Sequence, residues 1–195
     1  EISKYNAHFI NFFGKSIFGK TINFYGVSKI DSKTSFYKYK VFLNKNNLYY
    51  KLSGLNHFSK RIEGSIQSKE KILNYFKIKE IIFRKLKKNK NIKVLLNKQF
   101  NRNLIKDYDK IIICTYDQNN KILRNLGLKP KKKFKFELVE KIIVSLPKKF
   151  RKKSFMVLDG QFVCLDPYLG TNFHLLSDNI NSKLEITKSY YPEFK

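Results

Sequence analysis

Tryptophan is absent from this 195-residue chain, Ala7 is its only alanine, and Met156 is its only methionine. Acids are scarce too, 15 Asp and Glu against 41 Lys and Arg. Each shortage excludes something. No stretch approaches the roughly 18 consecutive apolar residues of a membrane-spanning helix, and no basic segment leading into an apolar one marks a secretory leader. The expectation is a cytoplasmic protein with no membrane span. Cys114 and Cys164 are too few for a disulfide framework, and each sits in an apolar run, so both are expected as buried, reduced thiols. His8, His57 and His174 are scattered, no Cys, His and carboxylate group has ligand spacing, and no metal site is expected. The chain opens at Glu1 and its one methionine is internal, which reads as a fragment of a longer protein.

What is present supports a folded core, with 42% hydrophobic and 15% aromatic residues. The formal charge is +26, large enough to create an attractive field for a polyanion. Against a nucleic-acid role, only Arg61, Arg84, Arg102, Arg124 and Arg151 carry the planar fork suited to bidentate phosphate and base recognition. Lys, Ile and Asn abound, and all three have AT-rich codons. The surplus therefore reads chiefly as a genome bias, and nucleic acid is not the expected partner. It is also uneven. KPKKKFKF from Lys129 and PKKFRKK from Pro147 concentrate it at 129–135 and 148–153. From Ser154 onward the acids Asp159, Asp166, Asp178, Glu185 and Glu193 outnumber the bases Lys183, Lys188 and Lys195. Lysines bordering strands read as solvated edges.

Tyr5 to Ile30, rich in Phe, Tyr and Ile and punctuated by Gly14, Gly19 and Gly26, reads as strand and turn. Thr34 to Leu43 predicts a short helix and Ile62 to Ile66 a short strand. Ser68 stands at an N-cap position ahead of Glu70, and Ile72, Tyr75, Phe76, Ile82, Phe83 and Leu86 recur at helical spacing. That predicts a helix over Lys69 to Lys88, with lysines at its C-terminal end where cations suit the dipole. Asn91 to Gln99 and Asp109 to Tyr116 predict strands, and the unbroken Ile111, Ile112, Ile113, Cys114 has the pattern of a strand covered on both faces. Asp117 is placed to cap a short helix that carries Ile122, Leu123 and Leu126 and stops at Gly127. Beyond Pro130, Phe134 to Leu146, Ser154 to Leu158, Gln161 to Leu165 and Asn172 to Ser177 have β pattern, with Asp159 and Gly160 as a hairpin turn.

Two stretches invite a chemical reading. GKSIFGKT, Gly14 to Thr21, satisfies the phosphate-loop pattern in which Lys20 would reach a terminal phosphate and Thr21 would hold magnesium. That loop needs a strand before it and a helix after it. His8 to Phe13 could be the strand, but TINFYGV is β-branched and aromatic, a poor helix, so chance is the better account. DYDKIIICTYDQNN, from Asp107, reads as an acidic strand entrance, a buried strand, and a helix start. In open α/β sheets ligands bind outside such carboxyl ends, which puts Thr115 and Tyr116 at a crevice. Asp107 and Asp109 could share a face, although such pairs usually mark a solvated strand entrance.

The order IEGSI from Ile62, long helix, NIKVLLN from Asn91, then YDKIIICTY resembles the middle of FAD-dependent oxidoreductases of the D-amino-acid-oxidase-like superfamily. SFMVLDGQFVCLDPYLGTNFHLLSDNINSK from Ser154 and YGVSKIDSKTSFYKYKVFL from Tyr25 resemble the substrate domain of one subgroup, and together the likeness spans Phe24 to Lys183. Where that family has Ala-Thr-Gly against the flavin, this chain has Cys114, Thr115 and Tyr116. The family's N-terminal G-x-G-x-x-G fingerprint is absent. The resemblance implies a partial FAD-binding three-layer α/β domain at 68–127 and a β-rich substrate domain, with a mixed or antiparallel sheet, at 1–67 and 128–195. It implies FAD as cofactor, with Phe100, Thr115 and Tyr116 on the cofactor side. Tyr25, Asp159 and His174 are the candidates facing a small-molecule substrate, whose amine or hydroxyl carbon would give a hydride to the flavin. A Lys-rich nucleic-acid-binding protein and a phosphate-loop nucleotide hydrolase are the alternatives.

Overall fold

The computed structural model describes residues 2–158 and 162–194, so the expected Asp159-Gly160 turn lies outside the described residues. They form two compact units, each built from two separated stretches: Glu1–Ile92 with Lys141–Ser182, and Lys93–Glu140 with Lys183–Lys195. The architecture is mixed α/β, with a mostly antiparallel seven-stranded sheet and a small two-stranded sheet. Among the described residues no helix is long and apolar enough to cross a membrane.

The first unit opens with a helix, α1 (Ile2–Phe13), where strand and turn were expected. Phe9 and Phe13 lie one helical turn apart with ring centroids at 4.8 Å, so the aromatic spacing serves a helix rather than a period of two. The first strand, β1 (Ile22–Ser28), then begins directly after Thr21. α2 (Phe36–Lys45) matches the expected short helix and is capped by Ser35, whose hydroxyl accepts from the Lys38 N–H at 3.2 Å. β2 (Tyr50–Ser53) and β3 (Ile62–Ser68) follow. A Cβ at Gly64 would collide with the Phe36 ring, so the bare backbone of β3 is what lets α2 approach the sheet.

α3 (Tyr75–Lys88) begins later than the expected helix over Lys69 to Lys88. The cap is Asn74, whose side chain accepts from the Lys77 N–H at 3.1 Å, while Ser68 ends β3 and its hydroxyl accepts from the Glu70 N–H. Both residues are good caps. Pairing of Ser68 with Asn23 and Tyr50 commits it to the sheet instead. No residue of α3 is fully buried.

The sheet is completed by β5 (Ile142–Ser145), β6 (Lys153–Leu158), β7 (Cys164–Pro167) and β8 (Phe173–Ser177), close to the expected segments. Strand order is β2-β3-β1-β6-β7-β8-β5, and among the described residues only β1 and β6 run parallel. Ile17, Phe24, Val27, Leu43, Ile62 and Ile66 form the buried apolar core of this unit.

In the second unit, α4 (Asn119–Asn125) ends as expected at Gly127, which takes a left-handed φ of 76°. Two strands, β4 (Phe134–Val139) and β9 (Lys183–Ser189), pair antiparallel. The expected single β stretch from Phe134 to Leu146 is thus divided, β4 joining this ribbon and β5 the large sheet. Leu126 and Asn120 are buried here, and Asn120 donates from Nδ2 to the Lys132 and Tyr190 carbonyls at 3.0 and 2.8 Å.

Two expected strands are not formed. Neither Asn91 to Gln99 nor Asp109 to Tyr116 is a strand. Both segments carry strand-like residues, yet among the described residues no strand pairs with either, and an extended segment without a hydrogen-bonded neighbour is not a sheet strand. Ile112 is 86% exposed, the reverse of a strand covered on both faces. Cys114 is likewise exposed rather than buried.

Candidate functional site

In β1, side chains alternate, so Asn23 and Tyr25 share one face while Phe24 takes the other. Asn23 stands opposite Ser154 of β6 and Tyr25 opposite Met156, whose own neighbour on β7 is Cys164. Asp166, two residues beyond Cys164, is on the same face, and the Ser154 hydroxyl donates to its Oδ1 at 2.5 Å. Glu70 closes the group from the loop after β3. Its carboxylate accepts from the Tyr25 hydroxyl, and its carbonyl accepts from Asn23 Nδ2. Asn23 and Tyr25 with Glu70 therefore form one hydrogen-bonded group and Ser154 with Asp166 a second, neighbours through the β1–β6 pairing in the sheet of the first unit.

Its electrostatics are unusual for so basic a chain. No ion pair formed among the described residues involves Glu70 or Asp166. Burial pushes the Glu70 carboxyl above the usual glutamate range, and the negative charge of Asp166 adds to it. Burial also raises the Cys164 thiol, reinforced by Asp166 and opposed by Lys141. Asn23 is 2% exposed, and its Oδ1 has no hydrogen-bond partner. Thr21 Oγ1, two residues earlier, is in the same condition. Buried polar atoms normally find a partner, so these two oxygens are exceptions within the sheet.

The opposite face is aromatic. Phe24 and Phe155 stack with centroids 5.5 Å apart, and the His57 ring meets them edge-on at 5.0 and 5.6 Å. Desolvation, then the nearby charges of Lys153 and Lys149, lower the His57 pKa. His174 belongs to this side through its pairing with Pro167. It is fully buried, with Nε2 3.2 Å from the Lys153 carbonyl oxygen and Nδ1 unpartnered.

The second unit holds the cofactor-side candidates. Tyr116 is 93% exposed with a left-handed φ of 54°, and it lines a cleft of about 850 Å³ with Asp117, Asn119, Phe134, Phe136 and Phe194. Thr115 holds the turn beneath it, its N–H and Oγ1 both donating to Asn119 Oδ1 at 2.8 and 2.9 Å. Asp117 is not the cap of α4; it accepts from Gln118 Nε2. Phe100 is half-buried and does not line the cleft.

Of the substrate-side candidates, Tyr25 enters the hydrogen-bonded group with Glu70, His174 faces the other side of the same sheet, and Asp159 lies outside the described residues. Glu70, Asn23, Ser154 and Asp166 were not singled out from the sequence. The available signal was a polar residue alternating with tyrosine inside an otherwise apolar strand, Asn23 and Tyr25 in INFYG. The phosphate-loop match is set in reversed context: helix α1 precedes Gly14 and strand β1 follows Thr21. Its backbone is committed elsewhere, the Gly14 N–H donating to Ile10 and the Gly19 N–H to Ile72. Asp107 and Asp109 are exposed, and among the described residues no group of three or more His, Cys, Asp or Glu could hold a metal ion. Compared with known proteins, the chain matches no protein-family model, no curated protein and no solved structure.

Proposed function

We propose that the chain is part of an FAD-dependent oxidoreductase that oxidises an amine or hydroxyl carbon. In this reading the seven-stranded unit supplies the substrate side and the second unit, residues 93–140 with 183–195, the cofactor side. The carrying observation is the pair of strand-patterned segments left out of every sheet among the described residues. Val94, Leu95 and Leu96 are 47, 51 and 69% exposed, and Ile111 and Ile112 are 38 and 86% exposed. Exposed apolar runs of this kind are costly in water, and strands flanking them in a nucleotide-binding sheet would satisfy both their side chains and their backbone.

The residues fit the flat part of such a cofactor. Tyr116, Phe134 and Phe136 offer an aromatic wall in an open cleft, and the Thr115–Asn119 bonds keep the turn that presents Tyr116. No glycine-rich turn entering a helix is present among the described residues, so this reading assigns the pyrophosphate to further chain. Bound FAD supplies the hydride acceptor. The chain's own part is to orient substrate on the Tyr25 face of the sheet and to hold polar groups out of bulk water there.

The polypeptide encoded by the complete gene, refolded with FAD, is expected to retain flavin absorbance after gel filtration, and Tyr116→Ala to weaken retention about tenfold. Loss of all flavin from the unaltered polypeptide would remove the proposal. A second reading, binding of nucleic acid, is favoured by lysine ammonium groups poised over exposed aromatics, Lys69 at 3.7 Å from the Tyr49 ring and Lys85 at 4.0 Å from Phe12. It predicts affinity for single strands that falls steeply with salt, measured by fluorescence anisotropy.

A further inference from the structure

We infer that a lane on the first unit, made by Tyr49 with Lys69, Phe18 with Lys71 and Phe12 with Lys85, is a binding surface for single-stranded nucleic acid. The inference rests on the second, nucleic-acid reading and assigns it a face; no flavin enters it.

The loop between β3 and α3 carries two of the three pairs. Lys69 Nζ lies 3.7 Å from the centroid of the Tyr49 ring, and Lys71 Nζ lies 4.9 Å from that of Phe18. Glu70, between them, turns to the sheet and bonds with the Tyr25 hydroxyl. The loop is pinned beside Phe18, the Gly19 N–H donating to the Ile72 carbonyl at 2.9 Å and the Asn74 N–H to the Ile17 carbonyl at 2.7 Å. Ser16, two residues before Phe18, opens the next stretch of the lane. It lines a groove of about 430 Å³ with Phe12 of α1 and with Lys77, Arg84 and Lys85 of α3. There the Lys85 ammonium sits 4.0 Å from the Phe12 ring centroid, and the one carboxylate of the groove, Glu80, is ion-paired with Arg84.

Charge and exposure select the partner. From Ile2 to Lys20 the sequence holds no acid, and from Lys69 to Lys88 eight bases stand against Glu70 and Glu80, both already engaged. Such a surface complements a chain of phosphates. Tyr49 and Phe12 are 57 and 52% exposed, which leaves ring surface for a base to stack on, and only a single strand offers its base faces. The lysine runs at 129–135 and 148–153 are denser in charge, but their ammonium groups stand farther from rings: 5.9 Å for Lys132 and Phe134, 5.5 Å for Lys133 and Tyr190, 5.1 Å for Lys149 and Phe150. A genome bias accounts for the number of lysines. It does not account for lysines held over exposed rings along one loop and helix while both acids there are turned aside.

The test measures fluorescence anisotropy of a labelled oligodeoxythymidylate with the 195-residue chain over a range of potassium chloride concentrations. Lys69→Gln, Lys71→Gln and Lys85→Gln together are expected to weaken binding at least about tenfold and to lower the salt slope by about 2, three contacts at roughly 0.7 each. Lys131→Gln, Lys132→Gln and Lys133→Gln together remove the same charge and are expected to change affinity less than about threefold. Tyr49→Leu and Phe12→Leu should each weaken binding about fivefold or more with the salt slope unchanged, a split that loss of charge does not produce. All five lane positions are exposed, and if a ring variant loses its fold by circular dichroism the lysine comparison decides. The inference is overturned if the 131–133 variant loses as much affinity as the lane variant, if folded ring variants bind unchanged, or if a duplex or phosphatidylserine vesicles bind as tightly as the single strand. When the unaltered chain binds the strand but the lane variants bind equally well, the second reading stands and the lane falls; no binding by the unaltered chain removes both.

Discussion

Val27 and Ile112 are both β-branched residues in strand-patterned segments, yet Val27 is fully buried in β1 and Ile112 is 86% exposed in a segment that joins no sheet among the described residues. The difference is in neighbours, not in side chains. INFYGVS has β3 on one edge and β6 on the other, so every buried N–H and carbonyl has a ladder to enter. KIIIC has no strand beside it among the described residues. Strand propensity describes a fit to a pleated, half-buried surface, and it is realised only where such a surface exists.

The sharpest way to break this comparison is to truncate one fully buried isoleucine of the sheet and one exposed isoleucine outside it. Ile66→Ala, at a fully buried position in β3, is expected to lower stability by about 2–5 kcal/mol in urea unfolding. Ile112→Ala is expected to change it by no more than about 0.5 kcal/mol. Equal losses would mean that the 111–115 run is buried in solution. Within the second unit, Asn120→Ala removes the donor to two carbonyls and is expected to cost about 1–3 kcal/mol, read by the same unfolding curves. A smaller effect distinguishes the two candidate caps of α3. Asn74→Ala should cost about 1 kcal/mol and reduce far-ultraviolet helicity, while Ser68→Ala should leave the helix signal intact.

The smallest effect concerns pH, and it carries opposite signs in the two units. The Glu70 carboxyl is raised by burial and by Asp166, so the folded state holds its proton more tightly than the unfolded chain. Its contribution is complete below the usual glutamate range and is lost as pH rises through the elevated value. Glu137 is lowered, first by its hydrogen bond from Lys135 and then by the charges of Lys135 and Lys183. Its contribution is present above the usual range and lost as pH falls. Glu70→Gln should therefore flatten the decline of stability on the alkaline side of that range, and Glu137→Gln the decline on the acid side, in melting temperatures measured against pH.

Legibility followed the same division. Local chemistry could be read where the chain supplies both halves of an interaction nearby. Ser35 ahead of an apolar run caps α2, Gly127 ends α4, and the short β segments beyond Pro130 match strands. The site was less legible. Tyr25 was named only through the family resemblance, and its partner Glu70 is 45 residues away and looked like the first-turn acid of a helix. Asp166 and Ser154 come together through the antiparallel pairing of β6 with β7, and Asn23 lies beside them through the parallel pairing of β1 with β6. No spacing rule covers contacts made across strands that distant in sequence.

The sequence by itself determined the local elements whose signals are short range: caps, turns, and the presence of alternating or continuous apolar runs. It determined the basic surface as well, since lysines in such excess cannot all be paired. Tertiary structure decided which runs became strands, because a strand needs a neighbour that its own sequence does not contain. It also decided that Gly14 to Thr21 sits between a helix and a strand, and that two acids from distant loops and strands share one sheet face beside an unpaired amide oxygen.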